Sequence, residues 1–291
     1  MLMENYVNTP FCYTGNKYSL LDSLTPEFDY SKKYFCDIFA GGGSVYTNVI
    51  DKYEKILVND IISDLINIHK SLINDDNFVN NVKLLVPKKD DKETFLKLRT
   101  SYNEEKTPEK LYALMLSSTN NMIRFNQKLM YNQTFGERSF SDSTQKKIDA
   151  FVNHIRPYKN KITYLSEDFY KIKVNKDCMV YMDMPYGYSK NNSNDKDLLK
   201  QMNNKQLSEA GYNSFWFKEH EIKLYNYCKM LNNDGASFVL SGVLEHNGNT
   251  SWILDKLIND GFNYKEFDFD YKKVSRTNVD KKTREIIVKN F

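Results

Sequence analysis

Apolar residues fall along this chain in two rhythms, short continuous runs and helically spaced faces. Tyr34 to Phe39 is a run of aromatic and β-branched residues. Lys32-Lys33 precedes it and Gly41-Gly42-Gly43 follows, so it predicts a buried strand entering a glycine turn. Ser44 to Tyr53 has helical character, and Lys55 to Asn59 predicts a second strand with Asp60 at its end. Ser63 to Leu72 sets Leu65, Ile66, His69 and Leu72 on one helical face. Strand, glycine turn, helix, strand, acid is the opening of a doubly wound α/β sheet. From about Asn74 to Asn160, Lys, Asn and Glu dominate and apolar spacing is helical around Phe95 to Leu98 and Leu111 to Met115, which predicts a mainly helical insert. Strand signals return at Lys161 to Leu165 and, more strongly, at Cys178 to Met182. Gly187 to Ala210 is polar and predicts a mobile loop or lid. Phe215 to Leu231 predicts a helix, Ser237 to Leu240 a strand with Glu245 and His246 in the loop beyond it, and Ile286 to Val288 a closing strand.

The chain has 291 residues, 41% of them apolar and 14% aromatic, enough for a sizeable core and against disorder. No run reaches the roughly 18 apolar residues of a membrane span, and Met1 to Pro10 lacks the features of a signal peptide, so the expected location is cytoplasmic. Cys12, Cys36, Cys178 and Cys228 form no CxxC pair, and the histidines do not cluster. Neither a metal site nor a disulfide framework is expected. The net charge of +3 says little, but its distribution says more. Between Asn121 and Lys161, Arg124, Lys128, Arg138, Lys146, Lys147, Arg156, Lys159 and Lys161 outnumber Glu137, Asp142 and Asp149. The tail from Lys272 is also basic. Two basic segments on a near-neutral chain fit either a local polyanion site or a solvated face.

Three constellations carry chemistry. In Asp37-Ile38-Phe39-Ala40-Gly41-Gly42-Gly43, glycines after a strand let a ligand approach the backbone, and a helix N-terminus faces it. Asp60, beyond the next strand, is placed to bond ribose hydroxyls. The triplet is not GxGxxG, which argues against a nicotinamide dinucleotide. Asp183-Met184-Pro185-Tyr186 closes a buried strand at the edge where open α/β sheets bind ligands. Asp183 and the Met184 carbonyl form an acceptor pair suited to an exocyclic amino group, Pro185 stiffens the turn, and Tyr186 offers a ring for stacking. Finally, Asn120 to Arg138 interleaves Phe125, Tyr131 and Phe135 with Arg124, Asn126, Lys128, Asn132 and Arg138, residue types that read base edges or hold phosphates.

These motifs and their order resemble the Dam-like, α-class adenine-N6 DNA methyltransferase family. Asp183 to Tyr186 resembles its (D/N/S)PP(Y/F/W) motif, and Asp37 to Gly43 its DxFxGxG cofactor loop. Tyr13-Thr14-Gly15-Asn16-Lys17 resembles its N-terminal WxGGK motif. Asn59-Asp60 and Glu167-Asp168-Phe169 match its ribose and adenine acids, and Ser275 to Asn278 with Arg284 to Asn290 its closing segment. The resemblance implies a Rossmann-like class I methyltransferase sheet, an α/β fold carrying a mainly helical inserted DNA-recognition domain. Residues 1–70 and 161–291 would form the catalytic domain and 71–160 the insert. It implies S-adenosyl-L-methionine as cofactor, contacted by Tyr13, Gly15, Lys17, Asp37, Phe39, Gly41, Gly43, Asp60, Asp168, Phe169 and Asp183, with no metal in the transfer. Asp183, Met184, Pro185 and Tyr186 would act on a flipped-out adenine of double-stranded DNA. A cognate restriction endonuclease is a candidate partner, and a monomer or weak dimer is expected. Met184 stands where the family prefers proline, Tyr13 for tryptophan and Asn16 for the second glycine. The alternatives are N4-cytosine methylation, a catalytically weak DNA-binding relative, and an RNA or protein methyltransferase.

Overall fold

The structure is a computed structural model describing residues 6–291 apart from 12, 14, 127, 129, 186–215, 217, 247 and 268–282. Tyr186, the expected lid and the Ser275 to Asn278 segment lie outside the described residues. The strands are β1 Tyr34–Asp37, β2 Lys55–Asn59, β3 Ile162–Leu165, β4 Cys178–Asp183, β5 Ser237–His246, β6 Asn249–Thr250, β7 Asn263–Phe267 and β8 Thr283–Lys289. The described α-helices are α1 Leu21–Leu24, α2 Ser44–Val49, α3 Ser63–Asn74, α4 Phe78–Leu85, α5 Lys92–Glu104, α6 Pro108–Ser117, α7 Asp142–Ile155, α8 Lys218–Asn233 and α9 Trp252–Asn259.

The sheet runs β3-β2-β1-β4-β5-β8-β7, with β6 as a short hairpin partner of β5. The first five strands are parallel, while β8 pairs antiparallel with both β5 and β7. This is the Rossmann-like sheet expected from the sequence. Central parallel strands are buried on both faces, which is why β1 and β4 read as continuous apolar runs. Alternation then sorts their side chains. Phe35, Met179, Tyr181 and Val239 enter the core beneath α2 to α7, whereas Cys36, Val180, Met182 and Leu240 enter the core beneath α8 and α9. Strand order reverses between β1 and β4, so a ligand crevice is expected at the C-terminal ends of these two strands. Asp37 and Asp183 are their last residues.

The stretch expected to be helical contains α4 to α7 and one irregular hairpin. Antiparallel bridges Ser118–Phe135 and Phe125–Tyr131 hold that hairpin together. Asp91 caps α5, Thr107 caps α6 ahead of Pro108, and Ser141 caps α7, each accepting an amide from the first turn. Phe78, Phe95, Tyr102 and Tyr112 are fully buried and belong to the same cluster as Phe35 and Val58 of the sheet.

Two expectations are corrected. β5 runs on to His246 because β6 and β8 pair with its far end, so Glu245 and His246 sit on a strand, not in a loop. The helix expected over Ser44 to Tyr53 stops at Val49, and Asp51 to Ser63 contains the turn and β2.

Candidate active site

The glycine turn is built by close approach. Gly41 and Gly43 have φ of 49° and 76°, the left-handed region that glycine enters without penalty. A Cβ on Gly41 would lie 2.9 Å from the Tyr13 ring, one on Gly42 2.8 Å from Tyr13 Cβ, and one on Gly43 would collide with the Tyr46 ring. Asp60 is buried and anchors the turn. Its Oδ2 accepts from Gly41 N at 2.9 Å and its Oδ1 from Ile62 N at 2.9 Å. Asn59 ties the neighbouring loops together, donating to the carbonyls of Ile38 and Glu167 at 3.0 Å each and accepting from Glu167 N at 2.9 Å.

Asp183 sits one strand away. Lys17 Nζ donates to its Oδ2 at 2.8 Å and Ser241 Oγ to its Oδ1 at 3.1 Å, while the Tyr181 hydroxyl lies 2.9 Å from Ser241 Oγ. Lys17 is itself buried. It also donates to the Gly15 carbonyl at 3.3 Å and lies 3.9 Å from the buried Glu285 carboxylate. Each Asp183 oxygen is thus oriented by one donor and keeps lone-pair capacity for another. The Met184 side chain is buried, and a Cβ added to Gly242 would lie 2.7 Å from its Cε. Inward packing anchors this turn residue where a second proline would stiffen the chain, and Pro185 follows half-buried.

Asp37 is fully enclosed. One oxygen accepts from Tyr46 N at 3.3 Å, and the other is buried with no partner among the described residues. Burial, with the charges of Asp183 and Asp60 adding to it, holds its carboxyl well above the usual range. Beside it, Phe39, Phe169 and Trp216 form an aromatic cluster with ring centroids 5.5 to 5.9 Å apart. Asp168 is half-buried and leads directly into this cluster.

The structure therefore gathers Lys17, Asp37, Asp60, Asp183 and their loops at one sheet edge. The residues singled out for DNA lie on the hairpin of 118–135 and just beyond it. Arg124 and Lys128 are exposed. Asn126 shapes the tip, its Oδ1 accepting from the amides of Lys128 and Met130 at 2.9 and 3.1 Å. Asn132 has a buried Oδ1 with no partner among the described residues, and Arg138 reaches Asn121 Oδ1 at 3.3 Å. Ser241 and Trp216 were not singled out by the sequence, and Tyr181 and Glu285 were noted there without roles of their own. The register that sets Asp183 beside Ser241 is invisible in a linear chain, and Glu285 stood out only as part of the closing segment.

Comparison with known proteins shows the family. The family model for the D12 class N6 adenine-specific DNA methyltransferases matches residues 13–267, and the chain belongs to that family. It is 30% identical to modification methylase StsI of Streptococcus sanguinis and 26% identical to type II methyltransferase M.FokI of Planomicrobium okeanokoites. Each match covers 99% of this chain and 43% of the relative. The chain thus spans less than half the length of these relatives. A 25% match to type II methyltransferase M1.LlaDCHI of Lactococcus lactis subsp. cremoris covers 100% of this chain and 99% of that protein. Among the described residues, no helix is long and apolar enough to cross a membrane.

Proposed function

We propose that this chain binds S-adenosylmethionine at the ends of β1, β2 and β4 and methylates N6 of a flipped-out adenine in duplex DNA. The observation that carries this reading is Asp183, held by Lys17 and Ser241 at the strand-order reversal, one strand from Asp37 and the glycine turn. The residues fit the cofactor. Asp60 and Asp183 bring two carboxylates to the sheet edge that also holds Lys17, and one buried Asp37 oxygen has no partner among the described residues, so a cationic, hydrogen-bonding ligand would complete the site. When bound, S-adenosylmethionine supplies an electrophilic methyl group on a sulfonium.

The chain's own residues supply position and polarity. Asp183 and the Met184 carbonyl accept the two amino hydrogens of the base, which draws the nitrogen lone pair out of conjugation with the ring and toward the methyl. Lys17 and Ser241 hold the Asp183 carboxylate in place, so little reorganisation is needed during transfer. Asp60, with Asp168, Phe39 and Phe169, would hold the nucleoside end of the cofactor, and Tyr13 and Gly15 flank its other end. In this reading residues 71–160 recognise the target. Arg124 and Lys128, exposed on the hairpin, would hold phosphates, with Asn126, Asn132 and Arg138 on the same side, and residues 1–70 and 161–291 carry the chemistry. The names of the relatives support modification of DNA alongside a restriction endonuclease as the setting.

The test is methyl transfer from labelled S-adenosylmethionine to unmethylated genomic DNA, with product nucleosides identified by mass spectrometry. N6-methyladenine from the wild type and a fall of at least ~1000-fold in Asp183→Ala is the expected result. N4-methylcytosine would transfer the chemistry to the other amino base. Absence of any methylated nucleoside from protein that binds both ligands would overturn the reading.

A further inference from the structure

His69 lies outside every motif yet touches the glycine turn. It sits on α3, wholly buried against Phe11, whose ring centroid is 4.3 Å away, and stacked on Tyr164. Its Nε2 is 2.9 Å from the Gly41 carbonyl and its Nδ1 2.9 Å from the Tyr46 hydroxyl. A carbonyl can only accept, so Nε2 carries the hydrogen, Nδ1 is bare, and Tyr46 donates to it. Burial pushes the ring down to about 4, against the opposing pull of the carbonyl, which keeps it neutral and in this one tautomer.

The consequence falls on the next peptide. All described peptide bonds are trans, so the C=O of Gly41 and the N–H of Gly42 point in opposite directions. With Gly41 N–H clamped by Asp60 and Gly41 C=O drawn into the core by His69, the Gly42 N–H is turned away from α3. We propose that His69 is a positioning residue for the methyl donor: by holding the Gly41 carbonyl inward it presents the Gly42 amide to an acceptor group of the bound cofactor. This rests on the reading of the site as an S-adenosylmethionine site. Tyr46 is the second half of the device, since its amide binds Asp37 while its hydroxyl fixes the His69 tautomer.

The test compares wild type with His69→Phe, His69→Gln and Tyr46→Phe. Equilibrium binding of S-adenosylmethionine is measured by calorimetry without DNA, and steady-state methylation separately. Phe keeps the ring packing and loses the donor, whereas Gln restores an N–H near the Nε2 position. Cofactor affinity is expected to weaken roughly 10-fold in His69→Phe, to recover most of the way in His69→Gln and to weaken less in Tyr46→Phe, as for one lost hydrogen bond to a buried carbonyl. The KM for S-adenosylmethionine should rise with kcat changed less than twofold, a split that general destabilisation would not produce. Should His69→Phe fail to fold, the Gln and Tyr46→Phe variants decide: unaltered affinity in Tyr46→Phe with loss in His69→Gln overturns the proposal. Equal affinity in wild type and a folded His69→Phe overturns it while leaving the functional reading intact. A wild type that binds no S-adenosylmethionine overturns both.

Discussion

Two buried side chains outside the reacting groups, His69 and Glu221, make stability depend on pH in opposite senses. The folded state holds His69 at about 4, below its ordinary 6.5, because burial disfavours the imidazolium. Between those values the unfolded chain binds more protons, so stability is complete above 6.5 and lost as pH falls toward 4, with a ceiling of about 3 kcal/mol. Glu221 is raised from 4.5 to about 7 by burial, slightly offset by Lys218, and its Oε2 has no partner among the described residues. There the native state binds the extra proton, and stability is lost as pH rises from 4.5 through 7, by about 2 kcal/mol after partial solvation. Between pH 4.5 and 6.5 the two slopes oppose. His69→Gln should therefore lose stability as pH rises through this window and Glu221→Gln should gain it, as read from urea midpoints. Parallel profiles for the two variants would dispose of the assignment. Neither role was legible in the sequence, where His69 is one more member of an apolar helical face. Asp37, Asp60 and Asp183 were legible, because strand ends followed by acids mark themselves locally. Their division of labour was not, since Asp60 binds two backbone amides of its surroundings and Asp37 is left half unpartnered only once the chain has folded.

At the scale of elements, the sequence revealed the central parallel strands because burial on both faces leaves them mostly apolar up to the Asp37, Asn59 and Asp183 at their ends. It missed β7, four of whose five residues are exposed, since a solvent-facing edge strand has no apolar pattern to read. The hairpin of 118–135 was visible only as a polar, aromatic-studded stretch. Its closure rests on Gly136, where a Cβ would run into the carbonyl carbon and oxygen of Ser118, and Gly136 N donates to the Ser117 carbonyl at 2.9 Å. A backbone obstacle cannot rotate aside as a side-chain tip can. Gly136→Ala should therefore splay the base of the hairpin at a cost of about 1–3 kcal/mol. Duplex affinity, followed by fluorescence anisotropy, should fall roughly 10-fold or more. S-adenosylmethionine affinity, which the proposed site assigns to the glycine turn and the strand ends, should hold. A Gly136→Ala protein that binds duplex normally would remove this hairpin from the proposed DNA surface.

Across the whole molecule, the insert and the sheet share one core. Leu111 to Leu116 of α6 and Phe151 of α7 belong to the same buried cluster as Phe35, Val58 and Met179, so among the described residues the segment 71–160 has no separate apolar centre around which to fold by itself. The opposite face of the sheet is a second cluster, beneath α8 and α9. Both tryptophans, Trp216 and Trp252, pack against this second cluster, while Tyr46, Tyr102, Tyr112 and Tyr131 populate the first. The two faces meet through β1 and β4, whose alternate residues enter one cluster and then the other, so neither can be lost without unpairing the central strands. The chain should accordingly unfold as one unit. Tryptophan fluorescence, reporting the α8 face, and tyrosine-region circular dichroism, weighted toward the helical face, should give coincident thermal transitions. Saturating S-adenosylmethionine should move both together, because the proposed site lies at the ends of the strands the two faces share. Should the tyrosine signal melt first and ignore the cofactor, residues 71–160 would be an autonomous module despite the continuous core.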